Sequence, residues 1–183
     1  MKPKVAIIIT NYNYGKYIMA AVDSILKQTY RGEIRVYVVD DGSPDNSWDL
    51  LSEITDPVES LAHMDRTYYS GPMDIRQRDT VYAYRINNSG ASTGRNVALY
   101  EAWEWADVFG ILDSDDAYYP EKVEKLVEKL MEYPEVGVAY ADYKNVNPTF
   151  GKREFKTSYS AQTLMQRCIV HSNSLIKKEY LEQ

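Results

Sequence analysis

The run Val108-Phe109-Gly110-Ile111-Leu112 leads without a break into Asp113-Ser114-Asp115-Asp116. An apolar segment thus ends in three carboxylates within four positions. Burying a carboxylate without a partner is prohibitively costly. Residues 108–112 therefore read as a buried strand whose carboxyl end opens into a cleft. In open α/β sheets, ligands bind in that place, beyond the carboxyl ends of the strands. Clustered hard oxygen donors there suit Mg²⁺ or Mn²⁺, shared with substrate phosphates. An isolated Asp-x-Asp is more often a solvated acidic turn capping the next helix. The rest of the chain tips the balance.

Upstream, residues 4–10 carry Val5, Ile7, Ile8 and Ile9 without strict alternation, as in a strand covered on both faces. Asn11-Tyr12-Asn13-Tyr14-Gly15 makes a turn. A helix over 16–28 follows, with Ile18, Val22, Ile25 and Leu26 on one face. A second strand, 34–39, ends in Asp40-Asp41-Gly42-Ser43. Pro44 or Asp45 starts a helix whose apolar positions are Trp48, Leu50, Leu51 and Ile54. Residues 56–80 mix Pro57, Gly71 and Pro72 with Arg66, Arg76, Arg78 and several aromatics. A loop of that length is normally functional or mobile. The expectation is a mobile segment near the cleft, with a surface insertion as the alternative. Residues 81–86 have strand character, and Asn87-Asn88-Ser89-Gly90 is a turn. Ser92 or Thr93 can N-cap a helix reaching about residue 105.

Downstream, Pro120 suits the first position of a helix. Val123, Leu126, Val127, Leu130 and Met131 follow at helical spacing until Pro134. A strand over 136–141 ends at Asp142. Then come a connector with Phe150-Gly151, a short helix over 161–167 and a strand over 169–176. Alternation of strand and helix through 141 predicts an α/β fold: a mostly parallel open sheet with helices on both faces, Rossmann-like in its nucleotide-binding layout. Three strands end in polar clusters: Thr10-Asn11-Tyr12, Asp40-Asp41-Gly42-Ser43 and Asp113-Ser114-Asp115-Asp116. Parallel strands place all three on one edge.

The chain has 183 residues, enough for one domain with a sizeable core. The net charge of −6 argues against nucleic acid as a partner. No apolar run approaches the length of a membrane span, and the run at Val5 to Ile9 is too short for a signal-peptide core. The single cysteine, Cys168, excludes an internal disulfide framework and fits a reducing compartment. A small buried hydrophobe describes it better than a nucleophile. The expected location is cytoplasmic, including the inner face of a membrane. Self-association into a homo-oligomer is left open. Most of the 17 tyrosines are expected half-buried, hydroxyl outward.

Five pieces, in order, carry a resemblance. They are Ala6-Ile7-Ile8-Ile9-Thr10-Asn11-Tyr12-Asn13, Ala21-Val22-Asp23-Ser24-Ile25-Leu26-Lys27-Gln28-Thr29-Tyr30 and Val38-Val39-Asp40-Asp41-Gly42-Ser43. The other two are Asn88-Ser89-Gly90-Ala91-Ser92-Thr93-Gly94-Arg95-Asn96 and Leu112-Asp113-Ser114-Asp115-Asp116, with Pro120 behind it. Over residues 4–142 the chain resembles the nucleotide-sugar transferases of glycosyltransferase family 2, which have the GT-A fold. The resemblance implies an inverting, metal-dependent transfer from a nucleotide-diphosphate sugar, a UDP-sugar first, to a saccharide, lipid-linked or protein acceptor of the kind used in polysaccharide biosynthesis. Thr10, Asn11 and Tyr12 would line the nucleoside pocket, with Tyr12 packing on the base. Asp40 would accept a hydrogen bond from the base, and Arg95 would border the pocket. Asp113 would face the ribose and sugar, and Asp115 of the DXD motif would hold Mn²⁺ or Mg²⁺, with Asp113 as a possible second ligand. Asp41 and Ser43 are expected in turn and cap hydrogen bonds, and Asp116 in a turn.

Two departures stand out. Relatives usually carry Ala at Gly94, and glycine there loosens the helix start. The family's catalytic base lies beyond a strand resembling Val170-His171-Ser172-Asn173-Ser174-Leu175-Ile176. Here it would fall after Gln183. Asp142 and His171 are the remaining in-chain candidates, ahead of Glu179 and Glu182. The expected layout is one domain over 1–183, incomplete at its carboxyl end. Residues 1–116 would form the nucleotide-binding part and 117–183 the start of an acceptor part. Alternatives are a nucleotide-sugar binding module without transfer activity and a nucleotidyltransferase. The second is disfavoured because Asn11-Tyr12-Asn13-Tyr14-Gly15 is not a Gly-rich phosphate loop with a basic residue. Without the base, the chain is expected to bind a nucleotide and metal but to transfer slowly or not at all.

Overall fold

The computed structural model describes residues 1–58, 69–145, 153–154, 160, 162, 165 and 173–181. Its elements are β1 (Val5–Asn11), α1 (Gly15–Leu26), β2 (Ile34–Asp40), α2 (Ser47–Ile54), β3 (Asp56–Pro57), β4 (Met73–Arg78) and β5 (Val81–Ile86). There follow α3 (Ala91–Ala102), β6 (Val108–Asp113), α4 (Lys122–Glu132), β7 (Val138–Ala139), β8 (Tyr143–Lys144), β9 (Arg153–Glu154) and β10 (Leu175–Lys177). Among the described residues, one sheet runs β3-β4-β5-β2-β1-β6-β10-β7, and β8 pairs separately with β9.

The centre of the sheet is β5-β2-β1-β6, all parallel. Val5, Ile7 and Ile9 of β1 point to one face, against Ile18, Val22 and Ile25 of α1, Leu51 of α2 and Val123, Leu126 and Leu130 of α4. Ala6 and Ile8 point to the other, with Val97, Ala98 and Ala102 of α3. Both faces of β1 are fully buried, so the strand is apolar without alternation, as parallel central strands are.

The expected parallel layout holds at that centre, and antiparallel strands flank it on both sides. β10 runs antiparallel to β6, and β7 antiparallel to β10. The expected strand at 136–141 shrinks to Val138–Ala139 at the sheet edge. The expected strand at 169–176 is observed as Leu175–Lys177, and its first residues lie outside the described ones. The expected helix at 161–167 also falls mainly outside them.

Within 56–80 the described residues, 56–58 and 69–80, include paired strands rather than loop alone, and 59–68 lie outside the described residues. β4 pairs along its whole length with β5, and Asp56–Pro57 pairs with β4. Only Ile75 of β4 is buried, so apolar content could not reveal this flanking strand. Arg76 donates to the carbonyls of Ser52 and Thr55, and Arg78 pairs with Asp56 at 3.0 Å. Both arginines brace the hairpin. Arg66 lies outside the described residues.

Helix starts shift as well. α3 begins at Ala91 after Gly90, whose φ of 90° only glycine adopts readily, so Ser92 and Thr93 sit inside the first turn rather than capping it. α3 ends at Ala102, not near 105. Pro120 precedes α4, which begins at Lys122, and α2 begins at Ser47. Among the described residues six tyrosines are core residues: Tyr30, Tyr37, Tyr69, Tyr82, Tyr84 and Tyr118. Tyr37 and Tyr82 stack at 4.9 Å, and burial pushes the Tyr37 hydroxyl up to about 12. No helix among the described residues is long and apolar enough to cross a membrane.

Candidate functional site

The strand register assembles the site. Thr10 lies beside Asp113, and Asn11 beside Asp40. Three polar clusters distant in sequence therefore share the carboxyl edge of β2, β1 and β6.

On the β2 side the acidic groups turn inward. Asp40 is fully buried. It accepts from Asn11 Nδ2 at 2.9 Å, from Ser43 N at 3.2 Å and from the Ser43 hydroxyl, and Arg85 Nε lies 3.7 Å away. Asp41 accepts from Ser89 N at 2.7 Å and Gly90 N at 2.8 Å. It thereby ties the start of α3 to the end of β2. Ser43 Oγ also accepts from Asn11 Nδ2 and from the backbone N–H of Asn13, a residue held at φ 60°. Gly42, at φ 70°, sits where a Cβ would come within 3.0 Å of Asn88 N. The turn and cap roles read for Asp41 and Ser43 match this geometry.

On the β6 side the acidic groups face out. Arg95 of α3 reaches Asp113 at 3.3 Å, with both side chains more than a third exposed. The Nε of Arg95 is buried and has no hydrogen-bond partner among the described residues. Asp115 is exposed. Asp116 closes a turn through its N–H to the Asp113 carbonyl, and its carboxylate accepts from Asn173 at 2.6 Å. Tyr12 stands 48% exposed at the same edge, so its ring face is open to a ligand. Gly94 packs α3 against the end of β1: a Cβ there would meet Thr10 Cγ2 at 3.2 Å.

Beyond the acidic stretch lies a cavity of about 440 Å³ lined by Asp115, Tyr118, Tyr119, Lys122, Asp142 and Tyr143 among others. The Lys122 ammonium sits 3.7 Å from the Tyr118 ring centroid. Burial pulls its pKa down to about 8, against the opposing pull of Asp116. Lys122 carried no signal in the sequence, where it is one charge among many at the start of a helix. Asp142 lines the cavity, whereas His171 and Glu182 lie outside the described residues. Glu179 borders a groove with Pro3, Asp107 and Val108, at the amino end of β6 and away from the acidic stretch.

No group of three or more metal-ligating side chains occurs among the described residues. Asp115, with Asp113 two residues before it, fits a cation held by one or two carboxylates and completed by substrate phosphates and water, the usual Mg²⁺ pattern.

Sheet order, helix placement and acidic edge define an α/β fold of the GT-A glycosyltransferase type. Structures sharing it include Staphylococcus aureus TarS 1–349 in complex with UDP (TM-score 0.67, 21% identity, covering 98% of this chain and 48% of that one). A second is the Pyrobaculum calidifontis mannosyltransferase PcManGT in complex with GDP-Man and Mn²⁺ (TM-score 0.65, 20% identity, covering 100% and 46%).

The glycosyl transferase family 2 model matches residues 6–183, and the chain belongs to that family. Among its relatives, Streptococcus pneumoniae glycosyltransferase GlyG is 31% identical over 85% of this chain and 44% of its own length. The Escherichia coli glucosyltransferase WfaP, which uses UDP-Glc and a GlcNAc-diphosphoundecaprenol acceptor, is 30% identical over 76% and 45%. The chain spans less than half the length of these relatives.

Proposed function

We propose that the chain binds the nucleotide diphosphate of a sugar donor, a UDP-sugar first, along the carboxyl edge of β2, β1 and β6. The observation that carries this reading is the register of β1 against β6, which sets Thr10 beside Asp113 with exposed Asp115 just beyond. Tyr12 stacks on the base, Thr10, Asn11 and Arg95 bound the nucleoside, and Asp113 faces ribose and sugar. Asp40 contributes by fixing Asn11 and Ser43 beneath the base. Asp115, with Asp113, holds Mn²⁺ or Mg²⁺. A divalent cation there neutralises charge developing on the departing diphosphate. Residues 1–116 form the donor part, and the cavity beside Tyr119 and Asp142 begins the acceptor part.

In the transfer itself the acceptor oxygen attacks the anomeric carbon from the face opposite the diphosphate. The sugar–phosphate C–O bond breaks, and the nucleotide diphosphate leaves with the electron pair. The acceptor's proton passes to a base. Asp142, which lines the cavity, is the in-chain candidate for that base among the described residues, and inversion is the stereochemical result. Support comes from WfaP, which uses UDP-Glc, and from the UDP and GDP-Man/Mn²⁺ complexes of TarS and PcManGT. Calorimetry of UDP and GDP, each with Mn²⁺ and with chelator, tests the reading. UDP binding that is tighter than GDP binding and strengthened by Mn²⁺ is the expected result. Equal UDP affinity with and without metal overturns the metal assignment.

A further inference from the structure

α1 ends close to the acidic stretch, and the contact is built from hydrogen bonds. Tyr118 N donates to Ser24 Oγ at 3.1 Å. The Gln28 amide nitrogen donates to the carbonyls of Ser24 and Tyr119, both at 2.9 Å. The Gln28 amide oxygen accepts from Val123 N at 2.9 Å. Thr29 N donates to the Pro120 carbonyl at 2.8 Å, and Thr29 Oγ1 to Glu124 at 2.8 Å. The Tyr118 hydroxyl returns to the Ile111 carbonyl at 2.8 Å, folding the segment back onto β6.

This arrangement does two separate jobs. α4 has no side-chain cap of its own. Gln28 Oε1 supplies one in trans to an otherwise orphaned first-turn N–H. Independently, Gln28 Nε2 ties the carbonyl of Tyr119, which also accepts from Lys122 N at 3.0 Å within its own turn, to the end of α1. Between that pin and the end of β6 at Asp113 lie Asp115 and Asp116, and the pinned stretch forms one wall of the 440 Å³ cavity. Glutamine is the side chain that can do both, because it offers an acceptor and a donor at one end.

We infer that Gln28 is a positioning residue for the acidic stretch: by holding Tyr119 and Val123 together it sets the loop that presents Asp115. Its effect on ligands rests on the proposed nucleotide and metal site, while the pinning itself does not. Gln28→Glu separates the two jobs. One carboxylate oxygen still accepts from Val123, and a negative charge at a helix N-terminus is favourable. The other oxygen now faces the carbonyls of Ser24 and Tyr119, and the pin is lost.

The test measures thermal unfolding, amide hydrogen exchange over 113–123 and UDP calorimetry with Mn²⁺ or chelator. Wild type, Gln28→Glu and Gln28→Ala are compared. Gln28→Glu is expected to melt close to wild type yet exchange faster over 117–121. It should lose roughly 10–100-fold in the Mn²⁺-dependent part of UDP affinity, the usual cost of disturbing groups that orient metal ligands. Binding in chelator should not change. Gln28→Ala should lose melting temperature as well. Unchanged exchange in Gln28→Glu overturns the inference, as does a binding loss only in Gln28→Ala and in step with its melting temperature. If wild type shows no metal-dependent UDP binding, the proposed function falls, and the exchange comparison alone decides the pin.

Discussion

Two acidic pairs stand on the same edge of the sheet and are used in opposite ways. Asp40 and Asp41 end β2; Asp113 and Asp115 end β6. In sequence both look alike, an apolar run breaking into carboxylates. In the structure Asp40 and Asp41 are 0% and 4% exposed, with donors arriving from Asn11, Ser43, Ser89 and Gly90. Asp115 is exposed and Asp113 half-exposed. The difference does not lie in the carboxylates. β1 and the turn before α3 send N–H groups to the end of β2, whereas the end of β6 meets the guanidinium of Arg95 and open cleft. At β2 the carboxylates are buried under converging donors and serve the fold, whereas at β6 Asp113 and Asp115 stay partly or fully exposed, and that end is the one proposed to meet the ligand.

The largest effect should come from Asp115→Ala. It is expected to abolish the Mn²⁺ enhancement of UDP binding while leaving thermal stability as in wild type, because an exposed side chain far from such networks contributes little to folding. Calorimetry paired with a melt checks both halves. A strong loss of stability would erase the contrast between the two pairs.

Asp40→Ala should behave in the reverse order, losing fold stability first. It strands the Asn11 amide and the Ser43 N–H in a buried setting, and each unsatisfied buried donor costs about 1–3 kcal/mol. Urea unfolding measures the loss. An Asp40→Ala protein as stable as wild type, yet about tenfold weaker for UDP, would return Asp40 to the direct base contact that the sequence suggested.

Lys122 gives a smaller effect, with a sign set by its depressed pKa. Burial lowers it from 10.5 to about 8. Between about 8 and 10.5 the unfolded chain therefore binds more protons at this residue than the folded one. Stability attributable to Lys122 rises with pH across that window. Above about 10 the buried Tyr30 and Tyr37, both raised to about 12, oppose it, because the unfolded chain ionises first. Lys122→Met should flatten the rise between about 8 and 10, as followed by melting temperature against pH. A rise that persists in the variant would assign it to another group.

Gly94→Ala is the finest probe. Alanine gains about 1 kcal/mol over glycine in a helix interior. The new Cβ, however, meets Thr10 Cγ2 at 3.2 Å. A net gain below about 1 kcal/mol in urea unfolding is expected, because the contact is to a methyl group at a half-buried strand end. A net loss would show that Thr10 cannot yield, and that the edge is rigid on the β1 side as well.

The sequence by itself determined the central strands, the helices that cover them and the convergence of three polar clusters on one edge. β1, β2, β5 and β6 are largely buried on both faces, so each is dominated by apolar residues, with Arg35 in β2 and Arg85 in β5 as the breaks, and such runs survive reading without a partner. β4, with only Ile75 buried, leaves no such trace, and the short edge strands β7 and β10 were legible as strands but not in their bounds. Only the tertiary structure decided which carboxylates are spent inside the fold and which are presented. That choice depends on donors such as Ser89 N for Asp41, 48 positions away, and on the pin from Gln28 to Tyr119, 91 positions away. A hydrogen bond is specified by distance and direction between groups that the chain brings together only on folding. Composition and periodicity describe single segments and hold no record of such meetings.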